Sequence, residues 1–203
     1  MIPKRQSDKV AIIGSSTYSL SRFLTDRENF KDYEVWGLNN LFSLATNPTR
    51  WFEIHRIWQP KGAKYWLRRG KPQQYVDGKR KPVIYYLLKL HELNVPVYMH
   101  EKNPLIKQST EFPFLECLNS FPYQYFTCTM AWQMALAILM GFKRIELHGM
   151  EVGDYWERRY QKPCLTFWMG LAIGKGIDVR TSLDSQLLRG PFLYGFEREN
   201  YYE

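Results

Sequence analysis

Apolar positions along the chain fall into two kinds of run. Short, nearly continuous apolar stretches rich in β-branched and aromatic residues occur at 9–13, 34–38, 50–54, 95–99, 143–148 and 177–181. Their length and composition predict strands buried on both faces. Longer segments between them, at 18–29, 83–93, 129–140 and 164–173, predict helices. Pro82 suits the first turn of the second of these, Thr129 an N-terminal cap and Gly141 the left-handed residue that stops a helix. Residues 100–124, rich in Pro and Phe, match neither period, and 183–203 predicts a short helix with an irregular end. Strands alternating with helices of this length imply an α/β fold, a mostly parallel sheet with helices on both faces. A length of 203 residues predicts a single domain with a substantial core.

In open α/β sheets ligands sit beyond the carboxyl ends of the strands, so the residues leaving each strand are the candidates for chemistry. The first strand runs into Gly14-Ser15-Ser16, where a phosphate or ribose can approach backbone N–H groups, although G-x-G-x-x-G is absent. The second ends in Asn39-Asn40, two amides suited to ribose hydroxyls or a base edge. The third ends in Glu53-Ile54-His55, and the fifth in His148-Gly149-Met150-Glu151. The helix opening at Thr127-Cys128-Thr129 offers a terminus that favours an anion.

Taken together, the first turn, the Asn pair and the helix that continues as Ala137 to Gly141-Phe142-Lys143-Arg144-Ile145-Glu146-Leu147-His148-Gly149-Met150-Glu151 resemble the bacterial CMP-sialic-acid-dependent sialyltransferases. They are also similar to a wider Rossmann-like group with pterin pyrophosphokinase-like members and small phage-type proteins. The resemblance covers roughly residues 9–55 and 125–180. It implies that Gly14, Ser15, Ser16, Asn39, Asn40, Thr127, Cys128 and Thr129 line a nucleotide pocket, with Gly149, Met150 and Glu151 beside it. It also implies that Tyr155 and Tyr160 meet a phosphate. Thr127-Cys128-Thr129 stands where the family carries T-S-G, and the family's lid histidine has no clear counterpart.

Charge sharpens this picture. Between Arg56 and Pro82 lie nine bases and one acid, and nine minus one equals the net charge of +8 for the whole chain. Trp58, Tyr65, Trp66 and Tyr75 are interleaved with those bases, which predicts an irregular basic, aromatic insertion. Such a segment is either a surface for an anionic partner, nucleic acid included, or a solvated loop whose rings pack back on the core. For the first reading Arg68, Arg69, Lys79, Arg80 and Lys81 carry the contacts. The longest apolar run, Met130 to Met140, is too short to span a bilayer. Three widely spaced cysteines and no apolar leader predict a reduced, cytoplasmic protein without structural zinc.

His55 or Glu53 is then the candidate general base, with Tyr155, Tyr160 and Arg158 around a leaving phosphate. His55 is equally readable as a surface histidine, and His148 as an inward-facing structural one. Glu151 and Asp154 are the carboxylates able to hold Mg²⁺ with phosphates, or else belong to an ion-paired loop with Arg158 and Arg159. The leading expectation is a nucleotide-dependent transferase acting on a sugar nucleotide, with a nucleic acid as a conceivable acceptor. The alternatives are a non-catalytic protein that sequesters a nucleotide and a Mg²⁺-dependent diphosphokinase-like enzyme. If the insertion binds nucleic acid, affinity for oligonucleotides falls at least tenfold between ~50 and ~200 mM salt. Replacing Arg68, Arg69, Lys79, Arg80 and Lys81 with Gln flattens that dependence; equally weak filter binding by both proteins removes the nucleic-acid reading.

Overall fold

The computed structural model describes residues 1–14, 16, 20, 23, 27–42, 47–57, 73–76, 79–150, 157–182, 185, 187–188 and 194–195, with backbone alone at 27, 73–76, 79–83 and 157–158. Seven strands form one parallel sheet: β1 (Lys9–Ile13), β2 (Glu34–Leu38), β3 (Arg50–Glu53), β6 (Val97–Met99), β7 (Ser109–Glu111), β8 (Arg144–His148) and β9 (Asp178–Thr181). Their spatial order is β7-β6-β3-β2-β1-β8-β9. Among the described residues the α-helices with stated bounds are α1 (Val83–Glu92), α2 (Phe114–Ser120), α3 (Thr129–Met140) and α4 (Lys162–Gly174). This is a Rossmann-like α/β fold.

The order places a topological switch between β1 and β8. The chain works outward from β1 through β2, β3 and β6 in one direction, then returns to add β8 and β9 on the other side. Right-handed crossovers therefore put α1 on one face and the packed pair α3 and α4 on the other. β1, β2 and β3 are buried along nearly their whole length, as parallel strands covered on both faces must be. Trp36, Trp51, Trp168 and Tyr86 supply the largest fully buried side chains of the core.

Several local expectations hold for stated reasons. Gly141 ends α3 in the left-handed conformation (φ 75°), its N–H donating to the carbonyls of Ala137 and Ile138. Gln108 and Asn103 organise the segment that defied assignment, residues 100–124, which contains the three-residue edge strand β7 and the seven-residue α2. Both elements are too short to show a period. Part of the insertion expected to be irregular is a β-ribbon: β4 (Gln73–Val76) pairs antiparallel with β5 (Lys79–Pro82), and the chain passes directly into α1. Of the helix expected at 18–29, the described part contains helical Phe23 and a 3₁₀ turn at Arg27–Phe30. The loop expected over 149–162 ends in a π-helical turn at Glu157–Gln161.

The switch is held shut by backbone alone. Gly14 N–H donates to the His148 carbonyl at 2.7 Å and Ser16 N–H to the Gly149 carbonyl at 2.9 Å. A Cβ on Gly14 would lie 2.3 Å from the Gly149 oxygen, and one on Gly149 would lie 2.6 Å from the Gly14 oxygen. Gly149 also has φ +68°, a conformation that favours glycine. Gly14→Ala is therefore expected to cost on the order of 3 kcal/mol, seen as a fall of roughly 6–12 °C in Tm. Wild-type stability in this variant would show that the two loops can separate freely.

Candidate active site

The most organised chemistry lies where β3 ends. Glu53 is fully buried at the last position of the strand. Its Oε1 accepts from His55 Nδ1 at 2.6 Å and from the His55 backbone N–H at 3.1 Å. Its Oε2 accepts from the hydroxyl of Tyr86, a fully buried residue of α1. A carboxylate gripped from two sides fixes the proton of His55 on Nδ1. His55 itself is exposed, and with the proton on Nδ1 its basic nitrogen is Nε2. The hydrogen bond to Glu53 raises the His55 pKa above its ordinary 6.5, against a smaller effect of burial. Burial, followed by the Glu53 charge, holds Tyr86 protonated. Glu53 is thus a positioning residue and His55 the group able to take a proton.

The second element begins on the neighbouring strand, roughly 5 Å across the sheet, and runs on to the switch point. Asn39 follows β2 with φ 49°, its N–H bonded to the Phe52 carbonyl and its carbonyl accepting from Trp51 Nε1 at 3.0 Å. The backbone is pinned, yet the side-chain Oδ1 is buried without a partner. Asn40 is exposed. Gly14, Ser16 and Gly149 lie at the switch point, where each glycine is required by the other's backbone. Met150, expected beside the nucleotide, is 2% exposed and packs inward instead.

The third element is the start of α3. Thr129 is the first helical residue, 8% exposed, and Cys128 rather than Thr129 is the cap position. Cys128 makes no capping hydrogen bond; its sulfur faces the N–H groups of Ala131 and Met130 and is a poor acceptor. A hydrogen bond to Cys164, with burial second, pushes the Cys128 thiol well up, so it stays protonated. Thr127 ties this turn to the π-helical segment: its Oγ1 donates to the Tyr160 carbonyl at 2.8 Å and its N–H to Cys164 Sγ at 3.4 Å. Tyr160 is exposed beside Arg159, whose guanidinium lies 5.5 Å from the ring centroid. The turn before α3 and the backbone at Tyr160 are thus tied together.

Gln133 interrupts the apolar run of α3. It is fully buried one turn into α3, with neither side-chain atom partnered. His148 is buried against Phe23 and Phe30, ring centroids 5.7 and 5.1 Å away, so its inward-facing reading holds. Its Nε2 lies 3.4 Å from a Glu146 oxygen, without hydrogen-bonding alignment. Ser15, Arg68, Arg69, Glu151, Asp154 and Tyr155 lie outside the described residues. Lys79, Arg80, Lys81 and Arg158 are described as backbone only. Among the described residues no group of three or more His, Cys, Asp or Glu forms a metal cluster, and no helix is long and apolar enough to cross a membrane.

The whole arrangement is that of a Rossmann-like α/β protein with its polar crevice at the carboxyl edge of the sheet. No protein-family model matches the chain, and no curated protein sequence matches it. Solved structures do. The sialyltransferase CstII from Campylobacter jejuni, in complex with the substrate analogue CMP-3FNeuAc, is 14% identical, with 88% of this chain and 82% of that one covered and a TM-score of 0.53. The same enzyme with cytidine-5'-monophosphate is 13% identical, covering 94% and 90%, with a TM-score of 0.52. At this identity the likeness is one of fold.

The Glu53–His55 pair makes a direct prediction. Because the His55 pKa is raised, its contribution to stability is full below about pH 6.5 and fades as pH rises through the folded-state value. In NMR titrations the His55 ring should show a midpoint above 6.5, falling in Glu53→Gln and staying raised in Tyr86→Phe. An unchanged midpoint in Glu53→Gln would mean that the carboxylate does not set the histidine's proton.

Proposed function

We propose that this protein is a glycosyltransferase that uses a sugar nucleotide, the donor being a CMP-linked sugar. One observation carries the reading: the described side chains with buried, unpartnered polar atoms all lie toward the carboxyl edge of the sheet. They are Asn39 after β2, Asn103 after β6, Gln133 in the second turn of α3, His148 at the end of β8 and Ser182 after β9. An orphaned buried donor or acceptor costs roughly 1–3 kcal/mol. A set of them on one edge suits a polar ligand that supplies the missing bonds. The likeness of fold to CstII, which has been solved with CMP, favours a cytidine nucleotide as that ligand.

In the proposed reaction the nucleotide lies across the switch point, with Asn39 and Gln133 toward its nucleoside. An acceptor hydroxyl near His55 attacks the anomeric carbon while the bond from that carbon to the phosphate oxygen breaks. The bonding electrons leave with the nucleoside monophosphate, and the hydroxyl proton passes to His55 Nε2. The N–H groups opening α3, with Tyr160 and Arg159, face the charge that develops on the phosphate. Tyr155 and Arg158 join them in this reading. The phosphate leaves already ionised and meets these donors, so the mechanism assigns no step to Mg²⁺. A nucleic acid acceptor would place its polyanion along the β4–β5 ribbon.

Calorimetry and a donor-turnover assay test the reading. Wild type is expected to bind CMP and to turn over a CMP-sugar in EDTA; His55→Gln should lose on the order of 10²–10⁴ in kcat. Gln133→Leu removes two unpartnered atoms, so it should stabilise the unliganded fold by about 1 kcal/mol while weakening CMP at least tenfold. Failure of the folded protein to bind any cytidine nucleotide overturns the proposal. Tight binding with no turnover makes the protein a sequestering one, and turnover lost in EDTA and restored by Mg²⁺ overturns the metal-free assignment.

A further inference from the structure

The three cysteines stand far apart in the sequence, and the fold brings two of them together. Cys128 occupies the turn that opens α3, and Cys164 lies in the first turn of α4. The Cys164 sulfur is held by the segment leading into α3. It accepts from the Thr127 N–H at 3.4 Å, donates to the Tyr125 carbonyl at 3.2 Å and accepts a hydrogen bond from the Cys128 thiol. That segment is itself fixed against α4. Phe126 stacks on Trp132 and Trp168, ring centroids 3.7 and 4.7 Å away, and Trp168 Nε1 donates to the Tyr125 carbonyl at 2.6 Å. Two sulfurs in contact on backbones pinned in this way act as a pair.

The two members differ in access and in charge. Cys164 is fully buried, whereas Cys128 is only half-buried. The hydrogen bond from Cys128, helped by Thr127 and opposed by burial, favours negative charge on Cys164, and the same bond holds the proton on Cys128. Passing that one proton from Cys128 to Cys164 moves the charge to the sulfur that a small oxidant can reach. Joining the sulfurs would strand nothing. The Tyr125 carbonyl keeps Trp168, the Thr127 N–H still faces a sulfur, and Cys128 gives up no capping bond because it makes none. Cys117 is the contrast: it is fully buried in α2, and burial pushes its thiol up to about 12, which keeps it protonated and unreactive.

We propose that Cys128 and Cys164 form a thiol–disulfide redox site whose oxidant is a small hydroperoxide. The Cys128 thiolate attacks the terminal peroxide oxygen: an S–O bond forms, the O–O bond breaks, and the oxygen that leaves takes up the proton the pair has released. Cys164 then attacks the Cys128 sulfur, giving its own proton to the hydroxide that departs as the S–O bond breaks and the S–S bond forms. Two thiols and one hydroperoxide thus become one disulfide, one alcohol (water when the oxidant is hydrogen peroxide) and one water. The sulfur pair loses the two electrons that the peroxide gains. A thiol reductant reverses the step by exchange. The product is a covalent staple between the turn opening α3 and the first turn of α4, and it stands whether or not the protein transfers a sugar.

Hydrogen peroxide added to the full, folded chain, followed by peptide mapping without reductant, tests the site. A peptide linked through Cys128 and Cys164 should form, with Cys128 consumed on the order of tenfold or more faster than Cys117. Dithiothreitol should restore all three thiols. The oxidised chain should melt roughly 5–10 °C above the reduced one, because the staple closes a loop of a few tens of residues. Cys128→Ser places a better cap at the start of α3 and so keeps the fold; under peroxide it should show neither the link nor the rise in Tm. Absence of reaction in wild type, a disulfide between chains instead of within one, or Cys128 carried on to sulfinic acid while Cys164 stays a thiol overturns the proposal. So does reaction at Cys117 as fast as at the pair, and a link that leaves Tm unchanged overturns the staple.

Discussion

The contact between Gly14 and Gly149 is the constraint on which the rest of the site depends. Two strand-end loops run so close that neither can carry a Cβ, and the hydrogen bonds of the β1–β8 ladder continue past the strands as Gly14 to His148 and Ser16 to Gly149. The loops cannot spread apart, so the crevice at the switch point has a fixed floor. A pocket built on such a floor is preorganised, and side chains around it, from Asn39 to the opening turn of α3, take their positions from it. The cost is intolerance: a single methyl group at either glycine meets backbone, which has nowhere to move.

The two edges of the sheet handle buried polarity in opposite ways. At the amino edge Glu34 and Arg50 are both almost fully buried and form a tight ion pair at 2.6 Å. Trp36 Nε1, the Gln6 N–H, the Tyr98 hydroxyl and the Lys4 carbonyl complete their hydrogen bonds. Every strong polar group there has found a protein partner, as a buried charge pair must if it is not to destabilise the fold. The carboxyl edge leaves Asn39, Asn103, Gln133, His148 and Ser182 wanting. One edge is finished by the fold and the other is left for something to complete.

Between these extremes sits Glu53, a buried carboxylate satisfied on one oxygen by the core and on the other by His55. It links α1, through Tyr86, to an exposed imidazole at the rim. Because α1 follows directly on the basic β4–β5 ribbon, the ribbon lies one helix away from the Glu53–His55 pair. The turn at Thr127 is anchored in the same manner from the opposite face, through Tyr160 and Cys164.

Much of this was legible in the residues. The apolar runs were long enough, and their strand ends distinct enough, to place six of the seven sheet strands and the helices over 83–93, 129–140 and 164–173, because hydrophobic periodicity and glycine stops are local properties. β7 and α2 escaped because a three-residue edge strand and a seven-residue helix show no period, and the β4–β5 ribbon escaped because its residues are basic rather than apolar. What only the tertiary structure decided are relations between distant residues. It brought Tyr86 onto Glu53, placed Cys164 against the Thr127 turn and turned Met150 into the core. It made Gly14 and Gly149 answer to each other, and it left Gln133 and Asn103 without partners. Sequence determines what each residue is able to bond; only packing determines which of those bonds the protein itself has already made.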